Sequence, residues 1–160
     1  MAELMQKVLD FHSPRDWYEC DAALVTCFDS RFDRICSELL KWLGIAQPDT
    51  IKIAGGSKSL ASPEEEFHRT FVLDQLHKSI RLHGTRRVIL TLHSDCGGYG
   101  RLSGRFQGDA QAEMAHCHEE LGRAKAFLRE TLPDLKVDCF FLTFEGAWAV
   151  HTSAATARLS

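Results

Sequence analysis

The sequence lacks any apolar run approaching the roughly 18 residues that a membrane-spanning helix needs. It also lacks an excess of basic residues, because 19 Lys and Arg are set against 22 Asp and Glu. The resulting net charge of −3 argues against a nucleic-acid-binding surface. Internal repeats, low-complexity runs and linkers rich in Pro, Gly or Ser are missing as well. These absences exclude membrane and nucleic-acid partners and favour one compact unit.

The amino-terminal segment has no apolar core, and Glu3, Lys7 and Asp10 interrupt it. It therefore does not have the pattern of a signal peptide, and we expect a cytoplasmic protein. In that reducing compartment the six cysteines should remain thiols. With 44% hydrophobic residues, the chain can bury a core without disulfides. We expect one domain over residues 1–160, with a short arm at 1–21, a core at 22–143 and a tail at 144–160.

Short apolar runs alternate with helical patterns along the chain. The runs that predict strands are Ala22–Thr26, Thr50–Ala54, Val88–Leu92 and Val137–Thr143. The helical patterns are Arg34–Leu43, a segment capped by Ser62, Pro63 and Glu65 and ended by Gly84, and a long segment from Asp109 to Pro133. This alternation predicts an α/β fold, with a parallel β-sheet flanked by helices. We expect the strand order 2-1-3-4, in which the first and third strands are neighbours.

Potential metal ligands follow two of the predicted strands. Cys27 comes directly after the first strand, and His93 and Cys96 follow the third. In the order 2-1-3-4 these strands are neighbours, and ligands collect beyond the carboxyl ends of strands where the order reverses. Two thiolates and one imidazole suit zinc, and three protein ligands leave one coordination position open, as a catalytic zinc requires. The sequence therefore predicts a zinc site at this edge.

Asp29 and Arg31 follow Cys27 closely enough to act on the same site. Asp29 can accept a hydrogen bond from zinc-bound water while Arg31 holds the carboxylate by a forked pair. An alternative is that Asp29 moves onto the zinc as a fourth ligand and closes the site. A permanently closed, structural zinc is a further interpretation of the same residues.

The pattern Cys-x-Asp-x-Arg followed by His-x-x-Cys-Gly resembles that of the β-class carbonic anhydrases. The resemblance covers approximately residues 22–142, and its specificity lies in two metal motifs that each follow a strand. It implies a parallel-sheet core, a zinc ion and a homodimer or higher homo-oligomer. The implied activity is the reversible hydration of carbon dioxide to bicarbonate through zinc-bound hydroxide.

Carried over by motif, the resemblance implies that Cys27, His93 and Cys96 bind the zinc. By the same comparison, Asp29 and Arg31 form the catalytic dyad. These assignments come from the family pattern and agree with the donor chemistry described above.

The chain departs from the family pattern at Lys52 and Ile53, which replace an Arg-Asn pair, and only 26 residues precede Cys27. The arm that family members lay across a partner subunit is therefore expected to be short or absent. These departures leave two alternatives open. One is a hydrolase of carbonyl sulfide or carbon disulfide on the same site, and the other is a non-catalytic zinc-binding homologue.

Other residues carry weaker expectations. Gly55 and Gly56 predict a close backbone approach beside the pocket. A proton leaving the site could pass through Tyr99 or a histidine near the cleft. His116-Cys117-His118 resembles a metal motif in letters only, because residues two apart on a helix point to nearly opposite sides. The tryptophans are expected to be packing residues, including at a dimer surface: Trp17, Trp42 and Trp148.

Overall fold

The computed structural model describes residues 5–152 of the chain. The strands in chain order are β1 (Ala22–Cys27), β2 (Pro48–Ile53), β3 (Arg87–His93), β4 (Lys136–Leu142) and β5 (Ala147–Ala149). The α-helices are α1 (Asp33–Trp42), α2 (Lys58–Ala61), α3 (Glu66–His83) and α4 (Ala110–Thr131). Shorter helical turns cover Ser30–Phe32, Gly97–Tyr99 and Arg101–Arg105.

The strands form one sheet of order β2-β1-β3-β4-β5. The first four are parallel, which confirms the predicted α/β fold and the order 2-1-3-4. Each predicted strand begins and ends within two residues of the observed strand. The segment predicted as a tail contains a fifth strand, β5, which pairs antiparallel with β4. The periodicity of the sequence did not indicate this strand.

The central strands are covered on both faces. All six residues of β1 are buried, as are six of the seven in β3. Alternate residues of β1 enter two separate cores: Ala23 and Val25 pack with the side chains of α2, α3 and α4, while Ala22 and Leu24 pack with α1. Burial on both faces is why these strands are continuously apolar rather than alternating.

The predicted start of α3 is wrong. Ser62 follows the last residue of α2, and its hydroxyl contacts the Glu120 carboxylate instead of accepting from a helix amide. The helix begins at Glu66, after Glu65 in an extended conformation with φ of −134°. The sequence has the residues of a capping box, but the Ser62 hydroxyl makes a tertiary contact with Glu120 instead of capping the helix.

Aromatic residues expected to pack are exposed on this chain. Phe67 and Phe71 on α3 are 66% and 47% exposed, and the helix buries Val72 and Leu76 instead. Exposure is also high at all the tryptophans: Trp17, Trp42 and Trp148. None of the helices within residues 5–152 combines the length and the apolar character that crossing a membrane requires.

Helix α4 begins where Asp109 predicts. The Asp109 carboxylate caps it by accepting from the amides of Gln111 and Ala112. The buried stripe contains Cys117, Leu121, Ala124 and Leu128, as the spacing predicts. Its first turn differs from the prediction, because Met114 is 46% exposed and Glu113 is buried in its place.

Candidate metal centre

The carboxyl ends of β1 and β3 bring three metal-ligating side chains together. Cys27 is the last residue of β1, His93 is the last residue of β3, and Cys96 follows three positions later. Adjacent pairing of the two strands closes the gap of many residues between them. One donor atom from each of the three residues lies within 4.8 Å of the others, and all three side chains are buried. We call this group the Cys–His–Cys cluster.

His93 is oriented so that one ring nitrogen faces the thiols. Its Nδ1 is 2.8 Å from the carbonyl oxygen of Ser94, and its ring packs on Phe32 with centroids 4.3 Å apart. Its Nε2 is buried, and no hydrogen-bond partner for it exists among residues 5–152. A metal bound to Nε2 would satisfy this atom, and a carbonyl on the other nitrogen is the usual way to orient a histidine ligand. Two sulfurs and this nitrogen therefore fit a zinc ion.

The thiols of the cluster influence each other's ionisation. The neighbouring Cys96 thiol and, to a smaller degree, the His93 imidazole hold the pKa of Cys27 well below the ordinary thiol value. Backbone amides of Asp29 and Gly55 also lower the pKa of Cys27, while burial opposes the shift. The nearby Cys27 sulfur and burial raise the pKa of Cys96. Thiolate formation is thus favoured at Cys27, as metal binding requires.

Asp29 and Arg31 form the forked pair that the sequence predicts. Arg31 Nε donates to Asp29 Oδ1 at 3.0 Å, and Arg31 Nη2 donates to Asp29 Oδ2 at 2.6 Å. These bonds lower the pKa of Asp29 to about 2 and raise that of Arg31. Asp29 is therefore an ionised acceptor beside Cys27, held in one orientation.

Sequence reasoning missed two carboxylates next to the cluster. Asp95, between His93 and Cys96, accepts from Arg31 Nη1 at 3.0 Å. Its pKa is lowered to about 2 by hydrogen bonds from Arg101 and then from Arg31. Glu113 of α4 is 2% exposed and accepts from Ser94 Oγ at 2.6 Å and from the Asp95 amide at 2.7 Å.

Both missed residues had a signal in the sequence. Asp95 lies inside the His-x-x-Cys motif itself, where Arg31 still has donors that one carboxylate does not use. Glu113 is four residues before Cys117 and eight before Leu121, so it occupies the core-facing stripe of α4. An acid on such a stripe needs a polar partner, and here the partners belong to the metal-binding loop.

Gly56 makes the close backbone approach that was predicted, whereas a Cβ at Gly55 would meet only the side chain of Lys58. A Cβ at Gly56 would lie 2.6 Å from the amide nitrogen of Cys27 and 2.8 Å from the carbonyl carbon of Thr26. Gly56 also has φ of +53°, a left-handed conformation that favours glycine. The end of β1 that carries Cys27 therefore rests directly on this glycine.

The Gly56→Ala variant is expected to lose both stability and the geometry of the cluster. Overlap with backbone atoms should lower the free energy of unfolding by about 1–3 kcal/mol beyond the strain of a left-handed alanine. Gly84→Ala is the matched control, since Gly84 has φ of +67° and meets no atom of residues 5–152 within 4 Å. Urea unfolding and zinc titration of both variants measure the difference. Equal losses in the two variants would contradict the expectation.

A cleft of about 240 Å³ opens beside the cluster. Its lining includes Gly55 and Gly98, and a Cβ at Gly98 would lie 3.6 Å from the Cys96 sulfur. Apolar residues form most of the remaining wall: Ile53, Ala54, Pro63, Phe67, Phe71 and Val72. Lys58 and His68 add polar groups to the same lining. The cleft is therefore mainly apolar, and at Gly98 its wall comes close to Cys96.

Other sequence candidates lie away from the cluster chemistry. The Tyr99 hydroxyl is buried and donates to Glu120 at 2.9 Å, which with burial raises its pKa. Cys117 is 1% exposed in the core, whereas His118 on the same helix is exposed, so these two side chains do not share a site. The ionisable side chains that line the cleft are instead Lys58, Glu64 and His68.

Comparison with solved structures places the fold among carbonic anhydrases. The enzyme from Glaciozyma antarctica matches with a TM-score of 0.57 and 22% identity, covering 84% of each chain. The enzyme from Streptococcus mutans matches with a TM-score of 0.58 and 19% identity, covering 89% of this chain and 87% of that one. A tetrameric β-carbonic anhydrase from Sordaria macrospora matches with a TM-score of 0.58 and 14% identity, over 86% and 84%. At these identities the likeness concerns the fold.

Sequence comparison gives the family. An uncharacterized protein of Rickettsia conorii is 25% identical over 130 residues, covering 80% of this chain and 70% of its own. A second uncharacterized protein, from Rickettsia bellii, is 25% identical over 130 residues, covering 80% and 79%. The family model described as "Putative carbonic anhydrase" matches residues 18–152. Because this match spans most of the chain, the chain belongs to that family, and its fold is that of the β-carbonic anhydrases.

Proposed function

We propose that the chain binds one zinc ion through Cys27, His93 and Cys96 and catalyses the reversible hydration of carbon dioxide to bicarbonate. Asp29 and Arg31 are the catalytic pair in this proposal. Membership of the carbonic anhydrase family supports the reaction class. The arrangement of the donor atoms supports the metal.

One observation carries the proposal. The buried Nε2 of His93 has no hydrogen-bond partner in the described part of the chain, and the two nearest metal-ligating groups are thiols. A buried polar atom without a partner costs free energy, about 1–3 kcal/mol. A bound cation with affinity for sulfur and nitrogen removes this cost and explains why the three side chains converge.

The residues around the cluster have separate tasks in hydration. Bound zinc would supply the Lewis-acid chemistry that lets a water molecule lose a proton near neutral pH and attack a carbonyl carbon. Asp29, kept ionised by Arg31, accepts a hydrogen bond from the reacting water and so directs its lone pair. Because the contacts of Arg31 lower the pKa of Asp29 to about 2, the Asp29 carboxylate is ionised and acts as an acceptor near neutral pH.

The cleft suits carbon dioxide as a substrate. Its wall is mainly apolar, which matches an uncharged linear molecule, and Gly55 and Gly98 allow approach to the Cys96 side of the cluster. Lys58 and His68 supply a cationic and a titratable group on the way out. A charged product and a proton therefore leave past polar side chains rather than through the core.

The proposal is tested by joining metal analysis to a stopped-flow hydration assay on the same purified sample. We expect about one zinc per chain and hydration of carbon dioxide far above the uncatalysed rate. Carbonyl sulfide and carbon disulfide are assayed beside carbon dioxide, since both are linear molecules of similar shape. Turnover of either sulfur compound without hydration would favour the hydrolase interpretation. One zinc per chain with background rates for all three would favour the non-catalytic homologue.

We also propose that the chain forms a homodimer or a higher homo-oligomer. The arm before β1 exposes large apolar side chains that the rest of residues 5–152 does not cover: Met5, Val8, Leu9, Phe11 and Trp17 are each more than 70% exposed. A monomer seldom leaves such a run in water. The solved relatives from Sordaria macrospora are described as tetrameric. Light scattering after size exclusion measures the mass, and a monomer at micromolar concentration would contradict this proposal.

The cysteines support a reducing location, and we propose the cytoplasm. All six are free thiols in the structure, and all six are buried. None is arranged as a disulfide, as expected where thiols stay reduced. Fractionation of cells that produce the protein measures its location.

A further inference from the structure

Arg31 contacts a second carboxylate on the side that Asp29 does not use. Its Nη1 donates to Asp95 Oδ2 at 3.0 Å, and its Nη2 donates to the Asp95 carbonyl oxygen at 3.3 Å. The Asp95 side chain is 13% exposed, against 43% for Arg31. One guanidinium therefore lies between two carboxylates, each from a different segment of the chain.

The two carboxylates do different structural work because of their places in the chain. Asp29 and Arg31 are two residues apart, so their contact holds each relative to the other but leaves the pair free to move together. Asp95 is 64 residues from Arg31 and lies between His93 and Cys96. The Arg31–Asp95 contact therefore connects the side chains of the pair directly to the loop that carries two residues of the Cys–His–Cys cluster.

Asp95 is itself held from several sides. Its backbone has φ of +57°, and its amide donates to the buried Glu113 carboxylate at 2.7 Å. The amide of Leu102 donates to its Oδ1 at 3.0 Å, and Arg101 Nη2 donates to its Oδ2 at 3.2 Å. Partners from α4 and from the following turn thus keep this carboxylate in place, whatever Arg31 does.

We propose that Asp95 is the positioning residue of the Asp29–Arg31 pair: it ties Arg31 to the metal-binding loop and thereby holds Asp29 beside the cluster. This inference rests on the proposed function for its effect on turnover. The restraint on Arg31 is a property of the chain itself and does not depend on that function. Exposed ion pairs add little stability, so the effect concerns geometry rather than folding.

The restraint is measured on Arg31 directly, by NMR of its guanidinium nitrogens in the full chain loaded with zinc. A guanidinium that is hydrogen-bonded on both sides rotates slowly and gives separate signals for its two Nη atoms. The signals that disappear in an Arg31→Lys variant are those of Arg31. The forked contact with Asp29 remains in the Asp95 variants. We therefore expect slow exchange between the Nη signals in the wild type and faster exchange in Asp95→Asn and Asp95→Gly. Asparagine and glycine both accept a positive φ, so neither variant adds backbone strain.

Asp138→Asn is the matched control. Asp138 accepts from Arg87 Nε at 2.8 Å in a half-buried ion pair. The two residues lie near the amino ends of β4 and β3, whereas the cluster lies at the carboxyl ends of β1 and β3. It makes the same chemical change and should leave the Arg31 signals and the hydration rate as they are. An Arg31 exchange rate in both Asp95 variants equal to that of the wild type would overturn the inference.

Turnover gives the second readout. We expect Asp95→Asn to lower kcat by about tenfold, since a small misplacement of a catalytic group costs rate on that scale or more. If Asp95 acts through Asp29, the Asp29→Ala/Asp95→Asn double variant should be no slower than Asp29→Ala alone. Losses that multiply would show independent action and overturn the inference. A wild type without hydration activity would refute the proposed function, while the Arg31 signals still decide the role of Asp95.

Discussion

Replacing Cys96 with alanine is expected to abolish zinc binding and carbon dioxide hydration together. Cys96 supplies one of three donor atoms, and its side chain is 2% exposed, so water cannot readily take its place. Loss of an outer partner of a metal ligand costs about 10–100-fold in affinity, and loss of the ligand itself should exceed that. Zinc per chain and the hydration rate are measured on the same preparation.

Cys139→Ala is the control for this experiment. Cys139 is a buried thiol on β4 that contacts the carbonyl oxygen of Leu121, at a distance from the cluster. Its loss removes a small core side chain and should leave one zinc per chain. Full hydration activity in a zinc-free Cys96→Ala preparation would refute the proposed function. Retention of zinc by Cys96→Ala would refute its ligand role.

Replacing Asp29 with alanine is expected to separate metal binding from turnover. The backbone amide of Asp29, which acts on the Cys27 sulfur, remains in the variant, so the zinc site should persist. The carboxylate that accepts from the reacting water is lost, and positioned acid–base groups contribute 10² or more to rate. We therefore expect zinc content near one per chain and a fall in kcat of about 10²-fold.

Asp33→Ala provides the comparison for Asp29. Asp33 is four residues further along and accepts from Lys52 Nζ at 2.6 Å, with half of its side chain exposed. This variant loses a surface ion pair close to the site and should turn over at the wild-type rate. An Asp29→Ala rate within twofold of the Asp33→Ala rate would mean that Asp29 has no part in catalysis. Loss of zinc from Asp29→Ala would point instead to Asp29 as a permanent ligand.

The sequence predicted the sheet well because burial on both faces leaves a strong pattern. Residues 22–27 and 88–92 are apolar except for Thr26 and Thr91, and central strands of a parallel sheet bury both faces. The edge was harder. Strand β5 is three exposed residues long, with the pattern of a loop, and its pairing with β4 depends on a turn rather than on periodicity.

Local signals failed where a distant residue competed for the same group. A capping pattern typical of a helix N-terminus is formed by Ser62, Pro63 and Glu65. The Ser62 hydroxyl nevertheless contacts Glu120, 58 residues away. The aromatic residues Phe67 and Phe71 follow helical spacing but face solvent, because the sheet accepts Val72 and Leu76 from that helix. Propensity is a weak prior against tertiary contacts of this kind.

The sequence by itself determined the α/β fold, the donor chemistry of Cys27, His93 and Cys96, and the pairing of Asp29 with Arg31. Each of these follows from residues that are close together in the sequence: apolar runs, metal-ligating residues directly after strands, and opposite charges two residues apart. The tertiary structure alone decided which nitrogen of His93 is left without a partner, and that Asp95 shares Arg31. Arg31 and Asp95 are 64 residues apart in the sequence, and only packing of the chain brings their side chains within hydrogen-bonding distance.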